Sequence, residues 1–313
     1  MLGNKNIALQ SAYTLQHHDC KHRLHIIENN IQHPDGLFKA INTHTNRSQA
    51  LTFYPTRDEK MIELERQILG LYDSTEQVLL TRGSDGALEL LCQTFIGANT
   101  KILCPIPTYP NMLQFIKTQS AFDPLNLVTF DCHHLSPVDI CARIAYELTE
   151  SSFQMVYLCS PNLPLGYTLD SIFIRNLSRE FPDTLFIVDE AYMEYANILG
   201  GERSFLDDVP DLHNVVVTRT FSKFYGLAGL RIGYCIASKP IMDMMRVSYN
   251  CKSVTATAIT AALWCINNRV PYINHLTEIQ DILPDLKNGL DIAISPDAVI
   301  HGYSMTNAAW FFI

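Results

Sequence analysis

Short apolar runs alternate with amphipathic segments from residue 78 to residue 237. The runs are rich in β-branched and aromatic residues, and the segments between them carry apolar residues at helical spacing. This pattern predicts strands at 78–81, 101–104, 127–130, 155–158, 185–188, 215–217 and 232–236. It predicts helices at 85–95, 112–118, 137–148 and 170–180. Strands that alternate with helices indicate a mostly parallel sheet covered on both faces, with ligands bound at the carboxyl ends of its strands.

The pattern becomes helical over 240–291. We expect interruptions at Pro271 and Pro284, because proline lacks the N–H group that continues a helix. Two short apolar runs, 299–300 and 308–313, predict strands near the end of the chain. The last run carries no turn residue and no charge, so we expect its strand partners to lie outside this chain, since an unpaired edge promotes aggregation.

Composition narrows the classes of protein to consider. A chain of 313 residues is long enough for one large domain and a smaller one. The net charge of −9 argues against nucleic acid or an anionic membrane as a partner. Nine cysteines without a C-x-x-C pair predict reduced thiols in the cytoplasm. We recognise no secretory signal and no apolar stretch long enough to span a membrane.

A histidine-rich segment near the start of the chain raises the question of a metal site. It contains His17, His18, Cys20, His22 and His25. Their spacing matches no standard zinc pattern, and the segment precedes the first clear strand or helix. We interpret it as a polar N-terminal arm and predict no metal.

The residues from Thr218 to Tyr234 carry the strongest chemical signal. Lys223 follows an apolar strand, stands next to Ser222 and is followed eight residues later by Arg231. A lysine is most often a solvated surface charge, but this one occupies a glycine-containing loop with no helical face. A hydroxyl, loop amides and a guanidinium are the groups that hold a phosphate close to an amine. This setting suits a lysine that forms a Schiff base with a phosphorylated aldehyde.

The run S-K-x-x-x-L-A-G-L-R-x-G that begins at Ser222 resembles the cofactor-lysine motif of fold-type I aminotransferases, which use pyridoxal phosphate (PLP). It is most similar to the histidinol-phosphate aminotransferase branch, and the resemblance extends from about residue 26 to the end. It implies an α/β fold like that of aspartate aminotransferase, with a mostly parallel sheet and a second, smaller α/β domain. We expect an N-terminal arm and part of the small domain at 1–40 and a large PLP-binding domain at 41–250. We expect interdomain helices and the start of an incomplete C-terminal small domain at 251–313.

The resemblance also implies roles at the cofactor ring. Asp189 ends an apolar strand; alone it is equally an aspartate that caps a turn, but in the family this carboxylate holds the ring nitrogen of PLP. Tyr192 matches the tyrosine that donates to the phenolate oxygen of the cofactor. Tyr109, in a P-x-Y segment, matches the one that stacks on the ring.

For the cofactor phosphate, the matching residues are Ser84, Asp85, Ser222 and Arg231. We expect the backbone amide of Asp85, rather than its carboxylate, to face the phosphate, because both groups are anionic. Tyr54, in a Y-P element, matches a tyrosine that reaches the phosphate in a partner's site. A homodimer is therefore implied by the resemblance.

Two departures from the family pattern bear on activity. The segment 160–166 has Leu163 where the family has an asparagine that bonds the phenolate oxygen, and Asn162 stands one residue earlier. The family's R-x-T arginine, which clamps the substrate carboxylate, lies beyond the last residue of this chain. The segment at Glu28 follows the family's N-E-N-P only loosely. We therefore expect turnover to be impaired.

The resemblance implies amino-group transfer from an amine or amino acid to a 2-oxo acid such as 2-oxoglutarate, with histidinol phosphate as the substrate class, in amino-acid (histidine) biosynthesis. Lys223 would be the catalytic residue. Two alternatives stay open: a PLP-dependent decarboxylase of a phosphorylated amino acid, and a catalytically degenerate PLP-binding or dimer-partner protein.

Overall fold

The computed structural model describes residues 5–7, 10, 28–46, 52–55, 58–72, 74, 76–208, 213–293, 299–303 and 309–312, with side chains up to residue 282. The histidine-rich segment at 17–25 lies outside these residues. None of the described helices is both long and apolar enough to cross a membrane. The described residues also contain no group of three or more His, Cys, Asp or Glu side chains arranged to hold a metal ion.

The described strands alternate with helices along most of the chain. The strands are β1 Gln77–Thr81, β2 Ile102–Ile106, β3 Leu127–Asp131, β4 Met155–Cys159, β5 Leu185–Asp189, β6 Val215–Thr220, β7 Gly233–Ala237, β8 Val299–Tyr303 and β9 Ala309–Phe312. The helices are α1 Asp35–Thr45, α2 Glu59–Gly70, α3 Gly83–Phe95, α4 Pro110–Lys117, α5 Pro137–Glu150, α6 Ser171–Glu180, α7 Met193–Gly200, α8 Lys239–Ser248, α9 Ala256–Asn267 and α10 Val270–Ala293.

The first seven strands form one sheet in the order β1-β7-β6-β5-β4-β2-β3. Neighbouring strands from β3 to β6 run parallel, and β7 runs antiparallel to both β6 and β1. The carboxyl ends of β2, β4, β5 and β6 therefore share one edge of the sheet. The residues just before β7 lie at the same edge, because that strand points the opposite way.

Side chains that alternate along the strands divide the core into two parts. One face of the sheet, with Tyr157, Ile187 and Val216, packs on α3, α4 and α8. The other face, with Val156, Val188 and Val217, packs on α5, α6 and α7 and continues to α2 and α9. Because both faces are covered, β4, β5 and β6 are mostly apolar, as expected for a parallel sheet, and buried polar residues such as Asp189 and Arg219 lie toward their carboxyl ends.

The predicted fold class is confirmed, and each predicted strand of the main sheet is present, with ends that differ by at most three residues. Three helices, α1, α2 and α7, were not predicted. Helix α2 has a recognisable start, because the Asp58 carboxylate accepts a hydrogen bond from Met61 N at 3.0 Å.

Two expectations about the C-terminal part were wrong. Helix α10 continues through Pro284, where an interruption was expected. The interruption expected near Pro271 is present, because α9 ends at Asn267 and α10 begins at Val270, with Pro271 in its first turn, where a missing N–H costs little. Strand β9, expected to lack partners, pairs antiparallel with β8. Strand β8 of this chain is therefore a partner of β9, where we expected partners outside the chain.

Candidate active site

The predicted site residues meet at the edge of the sheet where the parallel strands end. Asp189 is the last residue of β5, and Ser222 follows β6 by two residues. Arg231 precedes β7, and Ser84 lies in the first turn of α3, directly after β1. Strand direction alone therefore brings residues from four separated segments to one edge.

Asp189 is a buried carboxylate held by two hydroxyl groups. Its side chain is 2% exposed. Thr218 Oγ1 donates to Oδ1 at 2.9 Å, and the Tyr157 hydroxyl donates to Oδ2 at 2.9 Å. Burial raises the pKa of Asp189 to about 6, while the two hydroxyl donors oppose this rise. We call Asp189, Tyr157 and Thr218 the Asp189 cluster.

Lys223 is partly buried beside an aromatic ring. Its Nζ lies 5.3 Å from the centre of the Tyr192 ring. Burial lowers the pKa of Lys223 to about 8, against the opposing charges of Asp85 and Glu28, and nearby Arg231 lowers it further. A lysine with this pKa has an appreciable neutral fraction near neutral pH, which a nucleophilic amine requires.

A set of polar groups lies at the same sheet edge, and the charges of two of them, Asp85 and Arg231, act on Lys223. We call Ser84, Asp85, Ser222 and Arg231 the polar cup. The Arg231 guanidinium contacts Asp85 Oδ2 at 3.0 Å and Ser222 Oγ at 3.4 Å. Tyr109 donates from its hydroxyl to Asp85 Oδ1 at 2.7 Å. The Asp85 carboxylate is thus engaged by Arg231 and Tyr109, and the expectation that its backbone amide faces the phosphate stays a prediction.

Close backbone packing places Arg231 in the cup. Arg231 itself has a φ of 50°, a left-handed conformation that is uncommon outside glycine. Gly83 has a φ of 71°, and a Cβ there would lie 2.8 Å from Arg231 Nη2. A Cβ on Gly233 would lie 2.5 Å from the Gly83 carbonyl carbon. Glycine is therefore required at both positions to bring the β1 and β7 segments together.

The loop after β4 departs from the family pattern, and Asn162 serves to hold that loop. Its Nδ2 donates to Pro107 O at 3.2 Å, and its Oδ1 accepts from Leu165 N at 2.9 Å. Asn162 is 1% exposed. Leu163 packs against both parts of the core. Both polar atoms of Asn162 are therefore engaged by loop backbone.

The segment 28–34 lies against the Lys223 loop. Asn29 Nδ2 donates to Phe224 O at 3.0 Å, and His33 Nε2 lies 3.2 Å from Gly226 O. A Cβ on Gly226 would lie 2.7 Å from Ile31 Cγ2. This segment, which only loosely follows the family's N-E-N-P, therefore fixes the backbone directly after the lysine.

A buried ion cluster supports the same strand ends from the opposite face. Arg219, which is 3% exposed, contacts Glu190 Oε2 at 2.7 Å and Glu194 Oε1 at 3.0 Å. Glu190 also accepts from Ser204 Oγ at 2.7 Å and Phe205 N at 2.7 Å. Because Glu190 and Arg219 directly follow Asp189 and Thr218, this cluster ties the ends of β5 and β6 together.

Tyr54 lies apart from these groups and is 73% exposed. The Nζ of Lys252 lies 5.0 Å from the centre of its ring. The other predicted residues meet at the sheet edge, whereas Tyr54 is on the surface of the described chain.

Sequence reasoning missed Tyr157, Thr218, Arg219 and Asn29. Tyr157 and Arg219 carried a recognisable signal, because a hydroxyl or a charge inside an apolar strand needs a buried partner. Their partners depend on strand register, which sequence spacing did not supply.

Comparisons with known proteins agree with this geometry. A family model described as aminotransferase class I and II matches residues 24–288. Histidinol-phosphate aminotransferase 1 of Psychrobacter arcticus is 33% identical over 197 residues, which cover 61% of this chain and 49% of the relative. Its counterpart in Legionella pneumophila strain Lens is 30% identical over 227 residues, which cover 70% of this chain and 58% of the relative. The chain thus spans about half of the first relative and 58% of the second.

The fold is also that of solved enzymes. The histidinol-phosphate aminotransferase of Sinorhizobium meliloti, solved with pyridoxal-5'-phosphate, superposes with a TM-score of 0.73 at 20% identity. The match covers 91% of this chain and 74% of that one. At this level of identity the superposition shows a shared fold.

The residues present fit PLP. A lysine whose pKa is lowered by burial, a buried carboxylate and a cup containing two hydroxyls and a guanidinium match the aldehyde, ring nitrogen and phosphate of that molecule. The glycines at 83 and 233 allow backbone to approach the cup without a side chain in the way. This chain belongs to the aminotransferase class I and II family, whose cofactor is pyridoxal phosphate.

Proposed function

We propose that this protein is a PLP-dependent aminotransferase that moves an amino group from histidinol phosphate to a 2-oxo acid such as 2-oxoglutarate. The observation that carries the proposal is Lys223, partly buried, with its pKa lowered to about 8, beside the Tyr192 ring and the polar cup. The family match and the histidinol-phosphate aminotransferase relatives support the reaction class. The division into a large domain at 41–250 and a smaller one stays a prediction.

The roles follow from the chemistry of the side chains. When bound, PLP supplies an electron sink that stabilises negative charge at the substrate Cα. Lys223 Nζ would attach the cofactor and then carry the proton to and from that carbon, because its lowered pKa permits both directions near neutral pH. Asp189 would hold the ring nitrogen, and Tyr192 would donate to the phenolate oxygen. Ser84, Ser222 and Arg231 would hold the phosphate, with the backbone amide of Asp85.

The exposed Tyr54 side chain leads the proposal to include a partner subunit. Tyr54 is too exposed to be a packing residue of this chain alone, and the resemblance gives it a role at a partner's phosphate. We propose a homodimer in which Tyr54 completes the partner's polar cup.

The test is a labelled-nitrogen assay. Purified protein with PLP, ¹⁵N-histidinol phosphate and 2-oxoglutarate should yield ¹⁵N-glutamate by mass spectrometry. A parallel reaction with O-phosphothreonine measures carbon dioxide release, which would indicate the decarboxylase alternative instead. Cofactor binding with neither product would indicate a degenerate PLP-binding protein.

A further inference from the structure

The Tyr157 hydroxyl is the one group of the Asp189 cluster that comes from β4. It donates to Asp189 Oδ2 at 2.9 Å, and Thr218 Oγ1 donates to Asp189 Oδ1 at 2.9 Å. Tyr157 is 0% exposed and Asp189 is 2% exposed. The carboxylate therefore receives one hydroxyl donor on each oxygen, from the two strands that flank β5.

Strand register explains why a tyrosine performs this contact. β4 and β5 are parallel, with Tyr157 opposite Ile187 and Cys159 opposite Asp189. Tyr157 and Cys159 lie on the same face, since side chains alternate along a strand. Tyr157 is thus one step back from Asp189 along that face, a distance that a phenol spans.

The hydroxyl acts on the charge and on the orientation of Asp189. A buried carboxylate without donors would become neutral, because burial disfavours the ionised form. Hydrogen bonds to the ionised form favour it, and those from Thr218 and Tyr157 both lower the Asp189 pKa against the effect of burial. Two donors from opposite sides also fix the carboxylate plane, so that its remaining lone pairs keep one direction.

We propose that Tyr157 is a positioning residue that keeps Asp189 ionised and aimed at the ring nitrogen of the cofactor. This inference rests on the proposed function, which assigns Asp189 to that nitrogen. The Tyr157 hydroxyl donates to the carboxylate, so it would act through Asp189 and not on the reacting atoms directly. Its effect should therefore appear only with ligands that have a nitrogen at that ring position.

The experiment compares two cofactors on each protein. Binding constants are measured by fluorescence for PLP and for 1-deazapyridoxal 5'-phosphate, in which a C–H group replaces the ring nitrogen. The variant is Tyr157→Phe, which removes only the hydroxyl. The matched control is Tyr195→Phe, because Tyr195 is also buried but its hydroxyl has no hydrogen-bond partner among the described residues. Circular dichroism checks folding, and Tyr157→Met replaces the variant if phenylalanine does not fold.

The wild-type protein should bind PLP more tightly than the deaza compound. Tyr157→Phe should weaken PLP binding by about tenfold, the usual effect of one hydrogen bond to a charged group, and should change binding of the deaza compound less than about twofold. Tyr195→Phe should leave the ratio of the two constants unchanged.

Two results distinguish an error in the role of Tyr157 from an error in the role of Asp189. If the wild-type protein discriminates but Tyr157→Phe keeps the same ratio, or weakens both ligands equally, Tyr157 is only a packing residue and the inference is wrong. If the wild-type protein does not discriminate between the ligands, Asp189 does not serve the ring nitrogen, and both the inference and the role proposed for Asp189 are wrong.

Discussion

The Asp189 cluster and the polar cup lie at the same sheet edge but differ in their exposure to solvent. Asp189 and Tyr157 are at most 2% exposed, whereas the side chains of Arg231 and Asp85 are 49% and 34% exposed. In the buried cluster each hydrogen bond acts in a low dielectric and sets the charge of a single group. In the more exposed cup the charges are screened by solvent. Each group there binds an anion weakly, so several groups must bind it together. Loss of one group should thus affect the chemistry and the recognition of the ring nitrogen in the first region, and mainly the affinity for the phosphate in the second.

The largest effect is expected from Lys223, which lies between the two regions. Lys223→Ala should lower amino transfer by at least about 10²–10⁴-fold, the contribution of a positioned acid-base group. Borohydride treatment of the wild-type protein should attach the cofactor to the peptide that contains Lys223. Lys239→Ala is the control, because Lys239 is exposed and pairs with Asp243. Cofactor attached to a different lysine would contradict the assignment.

The second effect concerns the buried cluster. Asp189→Asn should lower turnover by about 10²-fold, because the ring nitrogen loses its charged partner, while the cup still binds the phosphate. Undiminished turnover in this variant would show that Asp189 does not hold the ring nitrogen during the reaction.

The same substitution should change how stability depends on pH. Because the pKa of Asp189 is raised from 3.8 to about 6, its neutral form favours folding below pH 4, and this advantage is lost as pH rises through 6. Cofactor-free wild-type protein should therefore lose about 3 kcal/mol relative to Asp189→Asn over that interval. Urea unfolding at a series of pH values measures the difference.

Substitution in the exposed cup should affect binding more than chemistry. Arg231→Lys should weaken PLP binding by about tenfold, because lysine cannot reproduce the planar fork of the guanidinium. Pyridoxal without its phosphate should bind the two proteins equally. Arg246→Lys, outside the cup, is the control. A similar loss with pyridoxal would mean that Arg231 supports the fold rather than the phosphate.

If Tyr54 contributes to a partner's polar cup, a variant at Tyr54 and a variant at Lys223 should complement each other in a mixed dimer. Tyr54→Ala should weaken PLP binding by about tenfold or more, through loss of one hydrogen bond to a charged group. Mixing it with Lys223→Ala should restore activity, because each hybrid dimer then has one site with both residues. Activity no higher than the sum of the two parents would mean that Tyr54 acts within its own chain or not at all.

The smallest effect is expected at the loop where the family pattern is broken. Leu163→Asn supplies a donor for the phenolate oxygen, so it should lower the pH midpoint of the holoprotein's absorbance titration by about one unit. Asn162→Ala is the comparison, because both polar atoms of Asn162 are engaged by backbone and its loss should disturb the loop instead. An unchanged midpoint in Leu163→Asn would mean that another group already bonds that oxygen.

The two regions also differ in how far sequence could predict them. Asp189 and Ser222 could be placed at one sheet edge because they follow apolar strands that a parallel sheet orients alike. The position of Arg231 at the same edge depends on the antiparallel direction of β7, which the sequence pattern did not predict. The donors to Asp189 could not be placed, because Tyr157 reaches it through the register of β4 against β5. The contacts of Asn29 and His33 with the Lys223 loop span almost 200 residues and follow from tertiary packing alone. The continuation of α10 through Pro284 likewise differs from what the local proline signal predicted.

One absorbance experiment tests the central claim, that Lys223 and its surroundings form a working PLP site, most directly. Protein loaded with PLP is scanned before and after addition of histidinol phosphate, and again after 2-oxoglutarate. We predict that the visible band of the bound cofactor is replaced by the near-ultraviolet band of its amine form, and that 2-oxoglutarate restores the original band. A visible band that forms in wild-type but not Lys223→Ala protein, yet never responds to histidinol phosphate or any other amino donor, would contradict amino transfer. A spectrum identical in the two proteins would contradict the site itself.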